Sequence, residues 1–243
     1  MRAVQPWGPM CALPEITIDD ALTRFLDAQR SRLAPRTYSR YEEICDLLRH
    51  CLNGYGYTGL SELERKRWER AYEAGDEEAF CHLMGSVQLV DNLGEFLGYF
   101  MIRKVAAGQE LLRAAGTVTK SLAKWLHQQG WIDEDALAIA LDRGGEAARD
   151  LPKADKLASL LWDLAQRAPQ TDDPDAMADE DWIEDSLQIE RVEPGALWFE
   201  GGVGPLKVPK QASALAQEGW TVTVVLARMR GEWHLVEVGN VYP

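Results

Sequence analysis

The residues best placed to do chemistry are cations at helical spacing. Arg36 and Arg40 lie four apart with Thr37 between them, Lys120 and Lys124 lie four apart with His127 following, and Arg103 and Lys104 are adjacent. Cations at i,i+4 share a helix face, and flexible cations on a rigid helix can follow a phosphate backbone without reading bases. Glu43 partly neutralises the Arg36–Arg40 stripe. The cluster Glu64-Arg65-Lys66-Arg67-Trp68-Glu69-Arg70 interleaves with Glu62 and Glu73 and reads as an ion-paired surface helix. His50-Cys51 and Cys81-His82 offer zinc-type donors, but neighbouring ligands point apart on a helix and neither pair has knuckle spacing. Gly201-Gly202-Val203-Gly204 lacks the Lys-Ser/Thr that completes a phosphate loop. Ser, His and Asp occur in no catalytic motif. No catalytic residue, metal ligand or cofactor is therefore assigned, and the chain is expected not to be an enzyme.

A second group lies near the C-terminus. Trp198, Phe199, Trp220 and Trp233 are interspersed with Lys207, Lys210, Arg228 and Arg230. Small β barrels use such combinations to stack bases or to hold Pro-rich peptides. Trp220 and Trp233 begin alternating segments and read as core. Trp198 and Phe199 are neighbours pointing to opposite faces of a strand, so one of them is expected to be exposed. The candidate barrel surface is Trp198, Phe199, Lys207, Arg228 and Arg230.

The elements that must carry these residues follow from periodicity. Residues 1–14 read as an irregular arm and residues 15–168 as a helical domain. Thr17 caps a first helix with Ile18, Leu22, Phe25 and Leu26 on one face. Pro35 opens a second helix bearing Tyr41, Ile44, Cys45, Leu48 and Leu52. Ser61 to Glu64 forms a capping box for a third. A short helix to Met84 follows, then a long one over 86–105, another over 116–129, and two more over 134–142 and 151–166. Residues 169–186 read as an acidic linker. Short strands are predicted at 187–192, 196–200, 204–208, 220–228 and 232–238, with a hairpin around Arg230-Gly231. Five short strands in so few residues favour a small barrel, SH3-like or OB-like, because closure removes exposed edges. The expected fold class is α+β in two domains, an all-α bundle followed by a β barrel at 187–243.

Three stretches of the helical part resemble the N-terminal core-binding (SAM-like) domain of tyrosine recombinases and phage integrases. They are Thr17 to Leu26, then Ala34-Pro35-Arg36-Thr37-Tyr38-Ser39-Arg40-Tyr41, then Gly116 to Leu126 ending in Gly130-Trp131-Ile132. The segment near 56–85 is an insertion relative to that pattern. The catalytic domain of the family, with its Arg–His–Arg set and tyrosine nucleophile, has no counterpart. The resemblance implies a helical module that clamps duplex DNA, with Arg36, Thr37, Arg40, Arg103, Lys104, Lys120 and Lys124 as phosphate contacts.

The chain holds 26 Lys and Arg against 39 Asp and Glu, a net charge of −13. That argues against a cationic nucleic-acid coat. The charge is not uniform, however. Residues 169–190 carry nine acidic and no basic residues, whereas residues 1–59 hold seven of each and residues 191–243 five of each. Local basic faces thus survive beside an acidic tether. No apolar run is long enough for a membrane span, and four cysteines form no disulfide framework, which points to the cytoplasm. The expected function is a non-catalytic DNA-associated protein that binds duplex DNA weakly and salt-sensitively. The alternative is a protein-interaction adaptor.

Overall fold

A computed structural model describes residues 16–168 and 181–243. The predicted arm and most of the predicted linker lie outside them. The helices are α1 (Ile18–Arg30), α2 (Pro35–Tyr55), α3 (Glu62–Glu73), α4 (Ala79–Leu83), α5 (Ser86–Asp91), α6 (Leu93–Glu95), α7 (Met101–Arg103), α8 (Gln109–Gln128), α9 (Glu134–Ala165) and α10 (Lys210–Ser213). The strands are β1 (Trp182–Glu193), β2 (Ala196–Phe199), β3 (Val203–Lys207), β4 (Thr221–Met229) and β5 (Glu232–Tyr242). A helical N-terminal part thus precedes a five-stranded barrel, the α+β class expected from periodicity.

The chain divides into two compact units. The first comprises Met1–Phe96 with Thr117–Gly144, the second Leu97–Gly116 with Gly145–Pro243. In the first, the Thr17 hydroxyl accepts the Asp20 N–H at the start of α1, which satisfies an orphan donor of the first turn. Ile18, Ala21, Leu22 and Phe25 bury the inner face of α1. Pro35 fixes the first turn of α2, which buries Ile44, Cys45, Leu48, Cys51 and Leu52. The Phe25 ring meets Tyr41 at 5.8 Å and Trp125 at 5.7 Å between centroids, so aromatic residues of α2 and α8 close on one side chain of α1. A Cβ at Gly56 would sit 2.6 Å from the Phe80 ring, so only glycine fits where the end of α2 crosses α4.

Two helix boundaries differ from expectation. The helix predicted over 86–105 is broken into α5, α6, a π turn at Phe96–Phe100 and α7. Asn92 donates its side-chain amide to the Gln88 carbonyl at 2.8 Å, a local bond that competes with the helical ladder. Gly94 and Gly98 lower propensity further. Conversely, the stretches 134–142 and 151–166 are one helix of 32 residues, α9, despite Gly144, Gly145 and Pro152. Pro152 removes one backbone donor. Burial of Leu151, Ala154, Leu157, Leu161 and Ala165 on a single stripe outweighs that loss.

In the second unit the strand order is β1-β2-β3-β5-β4, closed into a barrel. Three consecutive strands with β4 returned beside β1 are a Greek key, and β5 closes the circuit by pairing in parallel with β3. A five-stranded Greek-key barrel is the OB-like of the two expected forms. The linker boundary is corrected here. Residues 182–186 pair with β4 from Trp182↔Ala227 to Ser186↔Thr223 and belong to β1, because Leu187 and Ile189 continue the buried alternation while Glu184 and Asp185 stay exposed. The domain boundary shifts as well. Ala154, Leu157, Leu161 and Ala165 of α9 join one apolar cluster with Ile189, Leu197, Phe199, Val222, Val224 and Leu226 of the barrel.

The Asp150 carboxylate, 9% exposed, fastens this helix. It accepts hydrogen bonds from Arg149 at 2.8 Å, Lys153 at 3.0 Å and Gln217 at 3.2 Å. Burial alone raises its pKa, but the bonds from Arg149, Lys153 and Gln217 outweigh that and hold it below the usual aspartate value of 3.8. A depressed carboxylate contributes stability above its unfolded pKa and loses it as pH falls through the folded one. Asp150→Asn should therefore be destabilised at neutral pH, and its difference from the wild type should shrink below about pH 4. Urea titrations of both chains between pH 2 and 7 check this; a constant difference across that range would contradict it.

Candidate functional site

The barrel face carries the clearest constellation of chemistry-bearing side chains. On β2, Leu197 and Phe199 are fully buried, so Trp198 between them points outward. Period two would turn Arg191 of β1 inward with Ile189. Ile189 pairs with Phe199 and Arg191 pairs with Trp198, so the register slips by one residue at Glu190. This β-bulge re-aims the next side chain and puts Arg191 on the outer face beside Trp198. The guanidinium carbon lies 3.9 Å from the indole centroid, a close cation–π contact. Glu193 sits 3.6 Å from the Arg191 Nε. Gly204 has φ +143°, and a Cβ there would lie 3.0 Å from the indole Cδ1 of Trp198. Arg191 and Trp198 both line an open cleft of about 660 Å³. Gln188, Glu190, Gly202 and Glu218 complete its walls.

The remaining barrel candidates sit differently. Phe199 is not a surface residue: it is core, at 0% exposure, because its parity on β2 is that of Leu197. Trp220 is buried, and Trp233 is half-buried against the core cluster. Lys207 is exposed and bound to Glu232 at 2.7 Å; that bond holds the Glu232 carboxyl below its usual range. Arg228 lies 5.9 Å above the Trp233 ring. Arg230 and Gly231 both have positive φ, 55° and 83°, as a two-residue type I′ hairpin turn requires. With β1 counted from Trp182, residues 182–243 hold five basic and eight acidic residues, so the barrel is acidic rather than balanced.

The helix-borne candidates are divided. Arg36, Thr37, Arg40, Lys120 and Lys124 belong to the first unit, Arg103 and Lys104 to the second. Arg36 and Thr37 are exposed on the first turn of α2, and Arg40 is ion-paired with Glu43 at 2.7 Å. On α8, Lys124 is exposed and Lys120 half-buried, while the His127 ring reaches the Ile132 carbonyl at 3.2 Å. Arg103 stands 5.9 Å from the Tyr99 ring, and a hydrogen bond with Tyr242 raises its pKa further. Lys104 is exposed.

Cys45, Cys51 and Cys81 are free and buried. Burial pushes each thiol up to about 12, the direction expected of a thiol in apolar surroundings. His82 turns to Asp76 at 3.0 Å, and that bond raises its pKa. Among the described residues no cluster of three or more His, Cys, Asp or Glu is placed to hold a metal ion. No helix of the described residues is long and apolar enough to cross a membrane. Neither Arg191 nor the Asp150 network was among the residues singled out from sequence. Arg191 owes its direction to a one-residue bulge that no residue pattern announces. No protein-family model matches this chain, and no match is found among curated proteins or solved structures.

Proposed function

We propose that this chain is a non-catalytic DNA-associated protein whose barrel supplies a stacking contact and whose recombinase-like helical module supplies phosphate contacts. The single supporting observation is the Arg191 guanidinium laid 3.9 Å over Trp198 at the edge of an open cleft. A guanidinium plane stacks on planar ligands and carries the charge a phosphate backbone needs. The acidic barrel limits the affinity, so the complex is weak and salt-sensitive. The acidic tether competes for the same cations. A deletion that tests this competition must end before Trp182, since β1 begins there.

The test is fluorescence anisotropy of labelled 20-nucleotide duplex and single strands with the full chain at 25 and 200 mM salt. Trp198→Ala, which removes the ring that holds Arg191 in place, is expected to weaken binding roughly 2- to 30-fold, the equivalent of a cation–π contact of about 0.5–2 kcal/mol. No binding at low salt by the wild-type chain, or equal binding by the variant, overturns the assignment. A second reading, a protein-interaction adaptor, is favoured by one observation: Arg40 and Lys207 are already ion-paired within the chain. Saturable capture of a protein partner, abolished by Trp198→Ala and indifferent to DNA, would select it.

A further inference from the structure

Helix α3 buries none of its residues. Its first turn is held by the Ser61–Glu64 capping box, a Gln88 amide donating to Glu64 at 2.7 Å, and Arg65 donating to the Thr58 carbonyl at 3.1 Å. Trp68 and Tyr72 of this helix continue a column of rings that begins at Tyr57 in the preceding Gly56–Gly59 turn. Tyr57 and Trp68 stack at 4.7 Å with 6° between planes, and Trp68 and Tyr72 at 5.2 Å with 24°. The column ends at Tyr72, which is 50% exposed. Tyr72 also lines a cleft of about 610 Å³, whose other walls include Asp46, Arg49 and Asn53 of α2 and Glu77 and Glu78 of the α3–α4 connection. Positions 46, 49 and 53 fall on one face of α2.

We propose that this cleft docks an arginine side chain from a basic segment of a protein partner. The open end of a ring stack selects a planar group, and the carboxylates select a cation. A guanidinium is both, and it also presents paired donors that match a carboxylate. Two basic residues, Arg49 and His50, already line the cleft; Arg49 does not fill this role, because it is turned to Asp19 at 2.8 Å, Asp46 at 3.2 Å and Thr23 at 3.0 Å. A phosphate-bearing ligand meets three carboxylates of the wrong sign. An apolar segment would strip water from those carboxylates with nothing to replace it. The site is separate from the barrel face and does not depend on DNA binding.

The probe is a fluorescein-labelled peptide alternating glycine with three arginines, with a lysine counterpart, titrated by anisotropy into the full chain at 25 mM salt. The arginine peptide is expected to bind more tightly than the lysine one. Tyr72→Ala should weaken it roughly 2- to 30-fold, Glu77→Gln with Glu78→Gln should weaken it comparably, and Tyr72→Phe should retain it with an unchanged circular dichroism spectrum. Trp198→Ala should leave peptide binding intact. Undiminished binding to Tyr72→Ala would place the peptide on the acidic stretch and overturn the proposal. Equal affinity for lysine and arginine peptides would overturn it too, as would loss of oligonucleotide binding in Tyr72→Ala, which would mark the stack as a base platform.

Discussion

Phe199→Ala is expected to cost the barrel about 3–5 kcal/mol, whereas Trp198→Ala, one residue away, is expected to leave it folded. Phe199 is fully buried and among the largest side chains in the core. Removing its ring leaves a cavity within the apolar cluster of the barrel, which can relax only partly. Trp198 sits on the opposite face of the same strand, where Arg191 lies over its ring and Gly204 lies close to its edge. Its loss removes a cation–π contact worth about 0.5–2 kcal/mol and exposes little that was dry. The pair therefore separates stability from binding. Hydrogen exchange of β4 and β5 amides is the measurement, because a chain with two compact units need not unfold in one step. Loss of protection in the Phe199 variant with retention in the Trp198 variant is the expected result. The reverse order would mean that the parity of β2 is wrong, and with it the outward direction of Trp198.

This contrast also marks what periodicity could reveal. That Trp198 and Phe199 point to opposite faces follows from the geometry of any strand. Which of them faces inward depends on Leu197 and on the pairing with β1, and so on long-range register. The five strands, their hairpin and the switch from helical to strand period were legible because turn residues punctuate them at Gly195, Gly201 and Gly231. The capping box of α3 was legible for the same local reason. The Tyr57–Trp68–Tyr72 column was only half visible: Trp68 and Tyr72 are at i,i+4, but Tyr57 arrives through a 3₁₀ turn at Gly56–Gly59. Where a site depends on a bulge, as at Arg191, or on a return of the chain, as between Asp150 and Gln217, the information is tertiary and residue spacing does not carry it.

Charge was misread for a related reason. Counted by composition, Glu184 and Asp185 belonged to the linker at 169–186; counted by pairing, they belong to β1 with Glu190. An alternating strand tolerates acidic residues on its outer side, as at Glu184, while Leu187 and Ile189 bury the inner side; Asp185 shares the parity of Leu187 but is exposed, opposite Val224. A run of carboxylates is therefore compatible with a strand whose inner side becomes apolar further along. The acidity of the outer surface then limits what the barrel can hold, since Glu190 and Glu218 line the same cleft as Arg191.

The second large effect is expected from α9. Leu157→Asp places a carboxylate at a fully buried position among apolar side chains of the barrel cluster. Even Leu→Ala at such a site costs about 2–5 kcal/mol, and a buried carboxyl without a partner adds a desolvation penalty of at least 1–3 kcal/mol. A sum of that size approaches the whole stability of a small domain, about 5–15 kcal/mol. The barrel strands should consequently lose native structure although the substitution lies 25 or more residues before β1 in sequence. Amide exchange of Val222, Val224 and Leu226 is the readout. Retained protection there would restore the boundary that composition suggests at the acidic stretch, with the barrel as a free-standing domain. Lost protection would establish that the folding unit starts near Gly145, so that residues 169–180 interrupt a domain rather than join two. In that case shortening the acidic stretch is expected to change stability by only about 0.6 kcal/mol for each halving of its length.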